Sequence, residues 1–158
     1  MSEPAQVKAD IIGYTDEYAS IVRSWIDSEE TIHNLTRQRE FPPPDDIVSQ
    51  WQKPNMSAYL LFSENKPVAY GELWNRPQEM AVEIDHLLVD PAKRYRGYGS
   101  KMLSLLYDRA AQRPSVSQVF LNLRTGSEEA LGCYIKAGFE IFGTTSGGIA
   151  LKMIRLVR

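Results

Sequence analysis

The chain has 158 residues, of which 43% are apolar and 24% charged, with 10 Gly and 9 Pro. This length suits one buried core, so we predict that residues 1–158 form a single domain. The composition excludes a collagen-like or disordered chain. The single Cys and the two His exclude a disulfide framework and a Cys/His zinc cluster, so we expect no metal.

The net charge of −2 divides unevenly along the chain. Residues 1–92 hold 7 Lys and Arg against 16 Asp and Glu, whereas residues 93–158 hold 11 against 4. The division indicates either two partners of opposite charge or surface charges without function, and we expect no nucleic-acid partner. The chain carries neither an apolar run of about 18 residues nor a signal-peptide pattern at its start. We therefore expect a soluble cytoplasmic protein with no membrane partner.

The first third of the chain reads as one strand followed by helices. Hydrophobic spacing and cap residues predict a strand over residues 7–14, a helix capped by Thr15, a polar helix over 28–39 that the following prolines must end, and a short helix capped by Asp45 or Asp46.

From Ser57 onward the period changes to that of strands, and later strands and helices alternate. The predicted elements are a hairpin over 57–63 and 67–74 with its turn at 64–66, a strand over 79–89, an amphipathic helix over 97–113, a strand over 116–124, a helix over 127–137, and a final pair of strands over 139–142 and 149–157.

The loop that leads into the long helix holds the most informative pattern, Arg94-Tyr95-Arg96-Gly97-Tyr98-Gly99. Glycines permit close backbone approach to a ligand, and the first N–H groups of a helix lack internal partners. The pattern predicts either an anion site that suits a pyrophosphate or a tight turn alone. Met102 stands where a dinucleotide fingerprint needs its third Gly, and Ser100 precedes Lys101 where a P-loop needs Gly.

The pattern resembles the Q/R-x-x-G-x-G/A signature of the GNAT superfamily of acetyl-CoA-dependent N-acetyltransferases. A second stretch, from Ala130 to Phe139, resembles the family's A-x-x-L-Y-x-K-x-G-F marker. The resemblance covers about residues 7–157 and implies an α/β GNAT fold. Such a fold has a central, mostly antiparallel twisted sheet of six or seven strands, a splayed parallel pair and about four helices. The implied activity is transfer of an acetyl group from acetyl-CoA to a primary amine by direct attack in a ternary complex.

The resemblance also implies where acetyl-CoA binds. The implied cofactor-binding residues are Leu87, Leu88, Val89, Arg94, Tyr95, Arg96, Gly97, Tyr98, Gly99, Ser100, Ser127 and Lys136, with Lys101 also expected to face the phosphates. Ser127 stands where the family often has Asn, and it can hydrogen-bond to the cofactor or cap its helix. Cys133 stands where the family has Leu, and we interpret it as a small buried apolar residue.

Acetyl transfer needs a neutral amine, and an alkyl ammonium with a pKa of about 10.4 benefits from a base. Glu83 and Asp85 lie two apart on a strand and share one face. The family pattern favours Glu83 as the base, with Asp85 and Glu72 as alternatives, unless these are only solvated carboxylates. Tyr134 would protonate the leaving thiolate, or would only pack against the cofactor. His86 is expected on the strand face opposite Glu83.

The resemblance implies that the acceptor site lies along residues 15–55, which carry Trp25, Trp51, Glu29, Glu30 and His33. Aromatic faces and carboxylates suit a cationic amine, although the same residues also suit a helix core and a polar surface. An aminoglycoside-like molecule, a polyamine, an amino acid and a protein amine remain open. Other hypotheses are a non-catalytic acyl-CoA sensor, a longer acyl chain, and a homodimer formed through the final strand pair.

Overall fold

The computed structural model describes residues 9–124, 128–145 and 150–157. These ranges contain seven strands and five α-helices. In chain order they are β1 Asp10–Gly13, α1 Ala19–Ser24, α2 Glu29–Thr36, α3 Ile47–Trp51, β2 Met56–Ser63, β3 Lys66–Arg76, β4 Ala81–Val89, α4 Tyr98–Ala111, β5 Gln118–Arg124, α5 Glu128–Lys136, β6 Glu140–Thr144 and β7 Ala150–Leu156. Among the described residues, no helix combines the length and the apolar character needed to cross a bilayer.

The seven strands form one sheet in the order β1-β2-β3-β4-β5-β7-β6. Strands β4 and β5 are parallel, and the other neighbouring pairs are antiparallel. The predicted fold class is confirmed. The parallel pairing runs only from Ala81–Gln118 to Ile84–Leu121, although β4 continues to Val89 and β5 to Arg124. The two strands therefore part beyond Ile84, as the resemblance to the family implied.

The sheet has a hydrophobic core on each face. On one face α4 packs through Met102, Leu103 and Leu106, all fully buried, against the inner residues of β3, β4 and β5. On the other face α1, α2 and α3 form a second cluster with Leu60, Tyr70 and Leu88. Each fully buried Leu or Met contributes roughly 1.5–3 kcal/mol. Strand β4 therefore lies between the two layers, at the centre of the sheet.

Local residues set the ends of several elements. Ser28 Oγ accepts a hydrogen bond from the Thr31 backbone N–H at 3.1 Å, so α2 begins at Glu29. Arg37 adopts a left-handed conformation at φ 67° and ends the helix, three residues earlier than predicted. Thr15 stands at the predicted N-cap position, but it precedes a 3₁₀ turn that leads into α1, and its hydroxyl donates to the Glu17 carboxylate and makes no cap hydrogen bond.

The hairpin of β2 and β3 closes through a two-residue turn. Glu64 and Asn65 have φ values of 52° and 64°, as the type I′ turn favoured by strand twist requires. The predicted turn is confirmed, with Lys66 already in β3.

A β-bulge interrupts the pairing of β3 with β4. Tyr70 pairs with Leu88 and Glu72 with Asp85, so Gly71 faces two residues of β4 where regular pairing would place one. His86 takes up the extra length at φ 46°. A bulge re-aims the side chains that follow it, and His86 consequently points to the same face as Glu83 and Asp85. The prediction that His86 lies on the opposite face is wrong, because strand alternation holds only where pairing is regular.

Candidate active site

Three adjoining clefts lie where β4 and β5 part, and we name them by their residues. The donor cleft, about 770 Å³, lies between residues 87–100 and Tyr134. The middle cleft, about 370 Å³, lies between residues 84–87 and 121–124. The acceptor cleft, about 460 Å³, lies between residues 34–38 and the β4 side chains Glu83, Asp85 and His86. The middle cleft shares Tyr134 with the donor cleft and Asp85 and His86 with the acceptor cleft, so the three are continuous.

The donor cleft begins at the N-terminus of α4. Gly97 precedes the helix at φ 86°, a conformation that favours glycine. The next residues, Tyr98, Gly99 and Ser100, all line the cleft and supply the first backbone N–H groups of a 14-residue helix. Such N–H groups sit at the positive end of the helix dipole and bind phosphates. The missing side chain of Gly99 leaves the backbone open to a ligand beside Val89.

Nine of the twelve predicted cofactor-binding residues line the donor cleft. They are Leu87, Leu88, Val89, Arg94, Tyr95, Gly97, Tyr98, Gly99 and Ser100. The lining does not include Arg96 or Lys136, which are both exposed, and Ser127 lies outside the described residues. The size, the helix terminus and the cations Lys93 and Arg94 at the rim fit a long pyrophosphate-containing ligand such as acetyl-CoA.

Arg94 forms an ion pair at the edge of the donor cleft. Its Nη1 lies 3.3 Å from Asp27 Oδ2, a contact that links the loop before α4 to the segment between α1 and α2. Burial raises the pKa of Asp27, but the Thr31 hydrogen bond and the Arg94 charge lower it by more, so the net shift is downward. Both side chains are partly exposed, so the pair contributes little to stability.

Glu83 lines the acceptor cleft and is not an isolated carboxylate. Its Oε1 accepts from Arg76 Nη2 at 2.7 Å and Nε at 3.1 Å, and its Oε2 accepts from Asn122 at 3.3 Å. Burial raises the pKa of Glu83, and the neighbouring Asp85 adds to the rise, whereas Arg76 opposes it. Glu83 and Asp85 lie in one cleft, as predicted.

Glu72 is fully buried and lies next to these two carboxylates. Tyr70 donates to its Oε2 at 2.5 Å, and Trp74 Nε1 donates to its Oε1 at 2.8 Å. His86 Nδ1 lies 2.7 Å from the same Oε1. Each oxygen thus has at least one hydrogen-bond partner, as a buried polar group needs away from water.

The network extends to α3. Gln52 donates to the Tyr70 hydroxyl at 2.8 Å, and the Trp51 ring stacks on the His86 ring with centroids 4.2 Å apart and 19° between the planes. Side-chain atoms of Glu72, Asp85 and His86 fall within 4.8 Å of one another, close enough to share a metal ion. The donors already on Glu72 identify the group as a hydrogen-bonded cluster.

The sequence did not predict this network around Glu72 and His86. The one available signal was the alternation Tyr70-x-Glu72-x-Trp74, which puts a carboxylate between two aromatic donors on one strand face. The partner on β4 could not be found without the bulge.

Tyr134 lines both the donor and the middle cleft. Burial raises its pKa to about 12, and no side chain or backbone group among the described residues hydrogen-bonds its hydroxyl. Its neighbour Cys133 is half-buried, with Sγ 2.8 Å from Ser100 Oγ. The interpretation of Cys133 as a small buried apolar residue is therefore wrong in its burial, because the thiol is half-buried and contacts Ser100 at the start of α4.

The uneven distribution of charge along the chain is only partly reproduced in the charges that line the clefts. Glu30 and Asp85 line the middle cleft and Glu83 the acceptor cleft, but Arg37 and Arg124 also reach the acceptor cleft.

Of the predicted acceptor residues, Trp51 and Glu30 line clefts, whereas Trp25 is 3% exposed and belongs to the core. His33 is outside the lining of all three clefts.

The model of the acetyltransferase (GNAT) family matches residues 20–139, and the chain belongs to this family. It is an acyltransferase enzyme with acetyl-CoA as its cosubstrate.

Curated relatives of the chain include aminoglycoside acetyltransferases. The chain is 21% identical to the aminoglycoside N(6')-acetyltransferase type 1 of Klebsiella pneumoniae, over 89% of this chain and 79% of that protein. It is 30% identical to the kanamycin resistance protein of Rhizobium radiobacter, over 54% of this chain and 82% of that protein.

Solved structures share the fold. An aminoglycoside acetyltransferase in complex with coenzyme A and kanamycin aligns with a TM-score of 0.78 at 20% identity, covering 94% of this chain and 95% of that chain. A spermidine N-acetyltransferase from Vibrio cholerae in complex with CoA and spermine aligns with a TM-score of 0.78 at 11% identity and the same coverage.

Proposed function

We propose that the chain acetylates a primary amine of a small polycationic acceptor of the aminoglycoside type, by direct attack on acetyl-CoA in a ternary complex. The observation that carries this proposal is the continuity of the three clefts at the parting of β4 and β5. A donor in one cleft and an amine in the next can meet without a covalent enzyme intermediate.

The donor cleft would hold the pyrophosphate on the N–H groups of Tyr98, Gly99 and Ser100, with Arg94 at the rim. Beyond Ile84 the edge of β4 that faces β5 has no strand partner in the described part of the chain. The backbone around Leu88 and Val89 can therefore pair with the extended arm of acetyl-CoA and offer an N–H to the developing oxyanion.

In this proposal Glu83 and Asp85 receive the amine. Ionised carboxylates in a half-buried cleft favour an ammonium group, and one of them, with Glu83 first, removes a proton through water to free the lone pair. Raising the pKa of Glu83 makes its carboxylate a better base than an ordinary Glu.

Tyr134 is the proposed donor to the departing sulfur. A thiol has a pKa of about 8.5, whereas burial raises that of Tyr134 to about 12. Complete proton transfer from the phenol would therefore be uphill, and the greater part of its effect is a hydrogen bond that stabilises the thiolate.

The acceptor class is supported by the relatives and by the charges of the cleft. Aminoglycosides carry several ammonium groups on sugar rings, which suit the carboxylates of Glu30, Glu83 and Asp85. Both curated relatives named above act on aminoglycosides or give resistance to one, by their names.

The test is a panel of amines read by release of CoA thiol. Kanamycin, spermidine, lysine and an N-terminal peptide are each mixed with acetyl-CoA and the protein. We expect kanamycin to give the highest kcat/KM. Faster turnover of spermidine or of the peptide would contradict the aminoglycoside assignment, and no turnover of any amine would contradict the proposed function.

A homodimer remains a prediction. Strand β6 forms an edge of the sheet, and it exposes Ile141 by 52% and Phe142 by 72%. An apolar sheet edge can pair with a second copy across a two-fold axis. Light scattering on the purified chain distinguishes a monomer from a dimer.

A further inference from the structure

The His86 imidazole is held more firmly than an ordinary cleft side chain. Its Nδ1 lies 2.7 Å from the fully buried Glu72, its ring stacks on Trp51, and its backbone N–H donates to Asp85 Oδ1 at 2.8 Å. The bulge places it there at φ 46°, a conformation that costs a non-glycine residue of order 1 kcal/mol or more. Three contacts and a strained backbone thus fix one ring orientation.

The hydrogen bonds around Glu72 identify which ring nitrogen carries the proton. Glu72 Oε1 accepts from Trp74 Nε1, and its Oε2 accepts from Tyr70, whose hydroxyl in turn accepts from Gln52. Both oxygens of Glu72 therefore act as acceptors. Nδ1 therefore carries hydrogen, and Nε2 of the neutral ring is left with its lone pair. No described group hydrogen-bonds Nε2. Among the described residues no buried side-chain nitrogen or oxygen lacks a partner, so Nε2 reaches the open cleft.

The position of His86 is equally specific. It lines both the middle cleft and the acceptor cleft, next to the point where β4 leaves β5 after Ile84. The middle cleft is the part that Tyr134 shares with the donor cleft. A group there lies between the amine and the thioester.

We propose that His86 is a catalytic base, positioned by Glu72, that removes the second proton from the attacking nitrogen. This inference rests on the proposed function and adds a step to it. The acceptor ammonium loses its first proton to Glu83 through water before attack. When the N–C bond forms, the nitrogen becomes positively charged, and one of its protons passes to His86 Nε2. The C–S bond then breaks, and the thiolate takes up that proton through cleft water, so that one proton is released per turnover.

The charges around His86 support this role. Those that share its clefts or contact it are Glu72 from β3, Asp85 and Glu83 from β4, Arg124 from β5, Glu30 from α2 and Arg37 after α2. Burial lowers the pKa of His86, but the hydrogen bond and the charge of Glu72, with Asp85 and Glu83, outweigh it and raise the pKa. The carboxylates thus stabilise the imidazolium that forms when Nε2 accepts a proton, as the buried carboxylate of a His-carboxylate pair does.

The experiment compares His86→Gln with His33→Gln, which changes the chain's other histidine outside the clefts. Kanamycin is the acceptor, or the amine of the panel that the wild type acetylates fastest. We expect His86→Gln to lower kcat by about a hundredfold and to leave the acetyl-CoA-induced shift in Tm unchanged. The variant should also lose the contribution of His86 to the fall of kcat at acid pH, so that only the contribution of Glu83 remains. His33→Gln should match the wild type.

Glu72→Gln tests the positioning. It should lower kcat less than His86→Gln does, and it should move the acid limb of the kcat profile to lower pH, because the imidazolium loses its counter-charge. A structural role alone would lower stability without moving the limb. EDTA should change nothing, and activity that EDTA removes and zinc restores would overturn the proposal in favour of a metal site.

The outcomes separate the two proposals. A wild type that acetylates amines together with a His86→Gln variant of unchanged kcat overturns the role of His86 and leaves the proposed function intact. A wild type that acetylates no amine overturns both. If His86→Gln fails to bind acetyl-CoA, the test is the His86→Ala variant with added imidazole. Turnover restored by imidazole would support a base at this position, and turnover that imidazole does not restore would refute it.

Discussion

Adding a methyl group at Gly99 should separate the stability of the fold from the affinity for acetyl-CoA. Gly99 lies in the first turn of α4 and lines the donor cleft. An added Cβ would lie 3.6 Å from Val89 Cγ2, an ordinary van der Waals contact, so the folded chain accepts it. The methyl group would, however, stand between the helix N–H groups and a bound pyrophosphate.

The two effects have opposite signs. Alanine is favoured over glycine in a helix by about 0.5–1 kcal/mol, which corresponds to a rise in Tm of roughly 1–4 °C for a chain of this size. Acetyl-CoA at a hundred times its Kd stabilises the wild type by about 2.7 kcal/mol. A tenfold loss of affinity leaves about 1.4 kcal/mol of that, so the ligand-induced shift in Tm should fall by about half.

The assay is thermal unfolding of Gly99→Ala with and without acetyl-CoA. The matched control is Gly132→Ala in α5, which adds the same methyl to a helix where nothing lies within 4 Å of the new Cβ. The control should gain stability and keep the full ligand shift. A Gly99→Ala variant with the wild-type ligand shift would refute the placement of the pyrophosphate at the start of α4.

Three further predictions concern the sheet and the catalytic groups. The carboxyl carbon of Glu83 should titrate above the ordinary Glu pKa in an NMR experiment, and Arg76→Met should raise the midpoint further; a midpoint at or below 4.5 would contradict the effect of burial. Tyr134→Phe should lower kcat by about tenfold with KM for acetyl-CoA unchanged, whereas a loss of a thousandfold or more would indicate complete proton transfer. Gly71→Ala should lower the free energy of unfolding in urea by about 1–3 kcal/mol, because its Cβ would lie 2.7 Å from Leu106 Cδ1. A free energy of unfolding equal to that of the control variant Gly143→Ala would contradict this.

Regular patterns in the sequence predicted the elements and their order. Alternating apolar residues identified the hairpin, and the turn at Glu64 and Asn65 lies where its residues indicated. The Gly97 and Gly99 pattern predicted a glycine-rich entry to the long helix, which the structure places beside the donor cleft. These features depend on neighbours in the chain, and the sequence contains that information directly.

The features that the sequence did not predict depend on contacts between distant segments. The end of α2 at Arg37 follows from a left-handed residue that its own type does not favour. The bulge at His86 depends on how β4 pairs with β3, and one extra residue there changes which side chains share a face. The Glu72 network joins β3, β4 and α3, so only the folded chain brings its members together.

The most direct test of the central claim is the initial rate of CoA release with both substrates varied. Direct attack in a ternary complex predicts double-reciprocal lines that intersect, no thiol release without an amine, and no acetylated protein after incubation with acetyl-CoA alone. Parallel lines together with an acetylated enzyme detected by mass spectrometry would show a covalent intermediate. That result would contradict the account of three continuous clefts in which amine and thioester meet.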